Sequence, residues 1–177
     1  DQTAGIFEMR PFYWLNKGKI PVYGSKRTIK ALKSSYKFCF KEKHGYKPIM
    51  KANIINKDLL IKKGKVKLLI KAFDVNHGLI NATGYVMEKI GYISDCNNVP
   101  LKNLKYLKNL NYLILDCLKF AKHPSHFNLE TALKLINVTK PKKAILTNLH
   151  TDLDYFKIKK SLPKNVIPAY DGLSFSF

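Results

Sequence analysis

A mixed α/β fold is what this sequence predicts, and three observations carry the prediction. Short segments rich in β-branched and aromatic residues follow one another through the middle of the chain, strand-like and helical segments alternate after Pro100, and no Pro/Gly/Ser-rich linker or internal repeat divides the 177 residues. With 46% hydrophobic and 25% charged residues, the composition is that of a globular chain able to bury a core. General scaling puts that burial at about 70% of the unfolded surface.

Residues 20–23 form a short strand candidate. Gly24-Ser25 then opens a helix in which Ser25 can cap and Ile29, Leu32 and Tyr36 recur at helical spacing. Residues 49–55, 66–73, 82–87 and 91–94 are short, rich in β-formers and separated by Gly, Asn, Asp or Lys, the pattern of a meander of strands. A helix over 101–107 follows, with Leu101, Leu104 and Leu107 on one face. The remainder reads as strand 112–117, helix 129–138 with Asn128 as cap, strand 144–147, helix 152–162, and strands around 166–169 and 173–177. One domain spanning residues 1–177 is the economical reading, with two or more sheet regions and helices packed outside them.

Charge and cysteines bound the setting. Against 12 acidic residues stand 32 basic ones, a net charge of +20 that suits an anionic partner such as nucleic acid. Only Arg10 and Arg27 are arginine, however, and lysine runs from Lys17 to Lys164, which reads as a bias of composition more than as a binding face. No apolar run reaches the roughly 18 residues needed to span a bilayer, and Asp1 to Arg10 lack a signal-peptide pattern, so no membrane partner is expected. Cys39, Cys96 and Cys117 are an odd count without CxxC spacing, which fits a reducing, cytoplasmic location.

Polar residues recur where apolar runs stop. His77 follows the run ending at Phe73, Asp95 closes the run 91–94, His126 follows the strand 112–117 after a short loop, and Asn148 and His150 follow 144–147. Side chains at the ends of successive strands can converge on one rim of a sheet. Each alone is more simply a loop residue, and Asp95 before Cys96-Asn97-Asn98 could make an Asx turn. Together they point to a metal site, since imidazole and carboxylate are the usual ligands of Zn, Mn or Fe.

On these residues the sequence resembles the metallo-β-lactamase fold hydrolases, within them the cyclic phosphodiesterase branch related to the phosphodiesterase of phosphonate breakdown and, more distantly, to the tRNA 3′-processing nuclease. Asp1-Gln2-Thr3-Ala4-Gly5 looks like the second half of the family's HxHxDHxxG motif, and Arg10-Pro11-Phe12 and Ile20-Pro21-Val22-Tyr23-Gly24-Ser25 resemble the runs next in line. Asn76-His77-Gly78 resembles the histidine segment, Tyr92-Ile93-Ser94-Asp95 the bridging aspartate, and the run from His123 through His126 to Leu129 the active-site histidine loop. The run from Ala144 to Asp154 resembles the last metal motif, and Tyr170-Asp171-Gly172 the closing turn.

The resemblance implies an αββα sandwich and two divalent metals, Mn or Zn, sharing a hydroxide that attacks phosphorus. It makes Asp95 the bridging ligand, His77 a ligand of the first metal, Asp1 a ligand of the second, and His126 the catalytic group that hydrogen-bonds a phosphoryl oxygen or protonates the leaving group. His123 is read as structural. Two positions depart from the pattern: Gln2 and Asn148 stand where the family has metal-binding histidines. An amide is a poor substitute for imidazole toward a transition metal. Two residues along a strand move a side chain roughly 6.5 Å, too far for His150 to replace Asn148 unless the backbone changes course, so His150 is read as a loop or supporting residue.

Because the chain begins inside a motif, the fold is expected to be incomplete at its N-terminus, lacking the strands that carry HxH. The isolated chain is expected to bind metal weakly and to be a weak or inactive hydrolase. A phosphodiester small molecule or an RNA end is the expected substrate, a complementing N-terminal chain is an expected partner, and a homo-oligomer is compatible with the exposed edge left behind. The alternative is a non-catalytic remnant or lysine-rich RNA-binding module that retains the fold.

Overall fold

In the computed structural model, which describes residues 3–55 and 58–176, the chain divides into two units, Asp1–Asn56 and Lys57–Phe177. In the first unit a 3-10 helix over Ala4–Met9 runs into α1 (Arg10–Leu15), where Pro11 sits in the first turn and its missing N–H costs nothing. Strand β1 (Ile20–Gly24) leads to α2 (Lys26–Ser35). Ser25 caps α2 as its position suggests, its hydroxyl accepting the Thr28 N–H at 3.2 Å. Short α3 (Lys37–Phe40) and strand β2 (Met50–Ile54) follow. β2 pairs in parallel with β1, Ile20 opposite Met50 through Gly24 opposite Ile54. Residues 49–55 therefore do not join the meander: the helical crossover returns the chain beside β1, as a parallel pair requires.

The second unit holds a seven-stranded sheet whose spatial order is its chain order. Its strands are β3 (Asp58–Lys63), β4 (Val66–His77), β5 (Ile80–Met87), β6 (Ile90–Ile93), β7 (Tyr112–Asp116), β8 (Lys143–Thr147) and β9 (Val166–Pro168). Pairing is antiparallel from β3 to β6 and parallel from β6 to β9, so β6 is where the direction switches. β3 falls on a segment to which periodicity assigns no element, because Leu59, Leu60 and Ile61 are contiguous and do not alternate with polar residues. β4 continues past the apolar run 66–73 to His77. Phe73 and Val75 face the core while Asp74 faces out, so the alternation survives the polar residues.

The parallel half needs crossovers, and three supply them. Between β6 and β7 lies the helix expected over 101–107, which is of the 3-10 type (Leu101–Leu107). Between β7 and β8 lies α4 (Leu129–Thr139), started by a reciprocal cap in which Asn128 and Thr131 bond each other's backbone N–H. Between β8 and β9 lies α5 (Tyr155–Ser161), shorter than 152–162 because the Asp154 carboxylate caps it by accepting the Lys157 N–H at 2.9 Å.

Residues 173–176 form no strand. Phe175 instead stacks on Tyr112, whose hydroxyl donates to the Ser176 carbonyl.

The core of this unit is Val75, Ile93, Leu107, Leu113, Leu115, Ala144 and Leu146, all fully buried. Truncating one of these leucines to alanine costs about 2–5 kcal/mol. Gly84 is there because the Phe73 ring lies over it: a Cβ would meet that ring at 2.7 Å. Among the described residues no helix is long and apolar enough to cross a membrane.

Candidate active site

The ends of β4, β6, β7 and β8 bring together the polar residues of the second unit. His77 is the last residue of β4, Asp95 lies two residues past β6, Asp116 ends β7, and Asn148 follows β8 in a left-handed conformation with φ of 62°. His126 comes from the loop that leaves β7. It is tied into the sheet by its neighbour Phe127, whose N–H donates to the Cys96 carbonyl at 2.7 Å.

What each imidazole touches fixes its tautomer. His77 Nδ1 lies 2.8 Å from the Ser125 carbonyl oxygen, which can only accept. That nitrogen therefore carries the proton, and the neutral ring keeps its lone pair on Nε2. His126 Nδ1 lies 2.9 Å from Asp116 Oδ2, which sets the same tautomer. The two rings meet edge to face with centroids 4.7 Å apart. Asp95 Oδ1 approaches His126 Nδ1 at 3.9 Å.

Asp116 organises this cluster, and reading polar residues after strands passes over it. Its side chain is fully buried, yet four donors reach it. Oδ2 accepts from His126 Nδ1, from the Cys96 N–H at 3.1 Å and from the Phe127 N–H at 3.3 Å, and Oδ1 accepts from Asn148 Nδ2 at 3.0 Å. Burial pushes its carboxyl above the ordinary carboxylate value, and the bonds from Asn148, Cys96 and His126 pull the other way. The signal in the sequence was a lone acid closing the apolar run from Tyr112 to Leu115.

The loop carrying His126 is held at two further points. Asn97 bridges the β4–β5 turn to it, its Oδ1 accepting the Gly78 N–H at 3.3 Å and its Nδ2 donating to the Pro124 carbonyl at 2.7 Å. His123 faces the same cluster, its ring centroid 5.1 Å from that of His126. Its Nδ1 accepts the Ser125 N–H at 3.4 Å. Burial, with His126 and Lys119 nearby, holds its pKa below the ordinary histidine value. His150 lies on the exposed loop after β8, its Nδ1 3.1 Å from Asp152 Oδ1. Asp1 and Gln2 lie outside the described residues.

His77, with Nδ1–H on a backbone carbonyl and Nε2 turned away from it, has the outer-shell arrangement of a ligating imidazole, and Asp95 offers a carboxylate. The donor set stops there. Asn148 spends its amide on Asp116, and among the described residues no group of three or more His, Cys, Asp and Glu is placed to hold a metal ion. Zinc takes three or four protein ligands, so the described residues do not complete a metal centre.

The sequence matches the family described as the Beta-lactamase superfamily domain over residues 1–148. The chain belongs to this superfamily. Its fold agrees: "a New Diphosphatase from the PhnP Family" superimposes with a TM-score of 0.84 at 24% identity, over 96% of this chain and 64% of that one. Zn(2+)-bound PqqB from Methylobacterium extorquens superimposes with a TM-score of 0.70 at 11% identity, over 90% of this chain and 66% of that one. Metal is thus held on this fold in at least one relative. A curated relative, "Octanoyltransferase" of Porphyromonas gingivalis, is 22% identical over 177 residues, 98% of this chain. The chain spans 35% of that protein's length. The superfamily and its fold are the level at which these likenesses agree with the resemblance read from the motifs.

Proposed function

We propose that this superfamily domain acts on phosphodiesters and that the chain by itself is a slow enzyme. The observation that carries the reading is the pair His77 and His126, edge to face at 4.7 Å, with Asp116 buried behind His126. A phosphoryl-transfer site needs a group that can deliver a proton to the departing oxygen. When His126 is protonated it donates through Nε2 while Nδ1–H remains on Asp116, and the carboxylate stabilises the imidazolium without moving the ring. The diphosphatase likeness supports phosphate chemistry, and the zinc-bound relative supports a divalent-metal requirement.

Mn or Zn binding is proposed to be weak, because at position 148 an amide pointing into Asp116 stands where the motif has an imidazole. The location proposed is cytoplasmic, supported by Cys39, Cys96 and Cys117 being free and buried.

The test is hydrolysis of bis(p-nitrophenyl) phosphate with Mn2+ or Zn2+ supplied. Turnover above the metal-only background is expected, and His126→Ala should lower kcat by about 10²–10⁴-fold. Wild-type protein that never exceeds the background overturns the reading.

A further inference from the structure

We propose that His123 is a substrate-binding residue whose Nε2–H donates to a non-bridging oxygen of the phosphoryl group. The inference rests on the phosphodiester reading above. The motif reading gave His123 only a structural place, and the geometry gives it more.

Three imidazoles stand together, His126 within 4.7 Å of His77 and 5.1 Å of His123 by ring centroid, and they are not equivalent. His77 and His126 spend their Nδ1 protons on the Ser125 carbonyl and on Asp116, so in the neutral state both turn a lone pair outward on Nε2. His123 is wired the opposite way. A backbone N–H can only donate, and the Ser125 N–H reaches His123 Nδ1, so that nitrogen is the acceptor and the ring proton sits on Nε2. The Ser125 hydroxyl, 3.3 Å from the same nitrogen, donates to it as well. Among the described residues Nε2 of His123 meets no protein acceptor.

The chemistry of the cluster leaves a position for that donor. A phosphodiester is an anion whose non-bridging oxygens only accept, while the Asp95 carboxylate and, in the neutral rings, the Nε2 atoms of His77 and His126 are acceptors too. Among such acceptors an anion is held only where donors face it. His123 supplies one on a loop fixed in advance: Pro124 is bonded by Asn97 and Ser125 by His77.

Two substitutions separate this role from a structural one. Asn at position 123 places an amide oxygen near Nδ1 and keeps an acceptor for the Ser125 N–H, but has nothing at Nε2. Gln places an amide N–H near Nε2 but gives up the acceptor for Ser125. With Mn2+ supplied and bis(p-nitrophenyl) phosphate as substrate, His123→Asn should raise KM about tenfold with kcat changed less than about threefold, and His123→Gln should keep KM within about threefold of wild type. A structural role predicts the reverse order, and that result overturns the proposal.

Titration of the 15N-labelled full chain with inorganic phosphate gives a readout free of turnover. The His123 ring should show its proton on Nε2, and phosphate should shift that signal. Phosphate that leaves His123 unmoved overturns the proposal. A shift without diester turnover leaves the site standing and removes the reaction assigned to it. Turnover without the Asn/Gln split removes the proposal and leaves the reaction standing.

Discussion

Replacing Asp116 is the sharpest perturbation available, because one buried side chain serves four donors from three places in the sequence. Asp116→Ala leaves the Cys96 N–H facing a cavity and also strands His126 Nδ1–H and the Asn148 amide, while the Phe127 N–H keeps the Cys96 carbonyl at 2.7 Å. At about 1–3 kcal/mol for each buried donor left unpaired, with some recovered by relaxation and entering water, the cost is about 3–5 kcal/mol. That is a large share of the roughly 5–15 kcal/mol by which domains are stable.

Asp116→Asn is much milder. Its amide oxygen replaces Oδ2 for the three donors there, its NH2 replaces Oδ1, and Asn148 need only turn its own amide over to accept. A cost of about 1–2 kcal/mol is expected, chiefly from turning the Asn148 amide over and re-fitting the shared bonds around a carboxamide.

The pH dependence has a definite sign. Because the folded pKa of Asp116 is raised above 3.8, its contribution to stability is fully present below that value and is lost as pH rises through the folded pKa. Wild type should therefore hold its greatest advantage over Asp116→Asn in acid and lose part of it toward neutrality. Amide hydrogen exchange at Leu115 and Leu146, read beside urea unfolding followed by circular dichroism, measures the second unit directly. An alanine variant as stable as wild type, or an advantage over Asn that grows as pH rises through this range, refutes the role given to Asp116.

Asn148→His should raise affinity for Zn2+ by about tenfold or more in calorimetric titration, since it restores an imidazole at the motif position in place of an amide; unchanged affinity argues against the motif alignment there. Gly78→Ala should lower the melting temperature of the second unit, because φ is +60° and the new Cβ would lie 3.1 Å from Ser125 Cβ. The cost is about 1–2 kcal/mol, and differential scanning calorimetry reads it. Burial and the Asp116 charge push the Cys117 thiol up to about 12, so iodoacetamide at pH 8 should leave it unlabelled until urea is added. Mass spectrometry of the native protein would expose any error in that.

Much of the fold was legible because local chemistry repeats itself. Ser25, Asn128 and Asp154 start helices where a side-chain oxygen meets an otherwise unpaired N–H, and that signal is contained within four residues. What was not legible depends on partners distant in sequence. Residues 49–55 look like any strand, and only the return beside β1 decides that they pair in parallel. Leu59, Leu60 and Ile61 show no alternation, so β3 is set by its register with β4.

At the site, polar residues after apolar runs singled out His77, Asp95, His126 and Asn148, which lie at or just past the ends of β4, β6 and β8 and on the loop that leaves β7. Asp116 is hidden because it falls within the run 112–117 that reads as strand and because Cys96, His126 and Asn148, 20, 10 and 32 residues away, are what give it meaning. The tautomers of His77 and His123 are hidden for a similar reason, since both depend on one backbone residue, Ser125.

The reversal of strand direction at β6 has a consequence for how the chain acquires its chemistry. The hairpins from β3 to β6 join sequence neighbours and can zip up quickly, whereas β7, β8 and β9 must each wait for an intervening crossover to be synthesised and closed. His77 thus rides on the early ladder, while Asp116, His126 and Asn148 ride on the late one. Until β7 docks, Ile90–Ile93 is an open edge, and at four residues it offers a passing strand little to pair with.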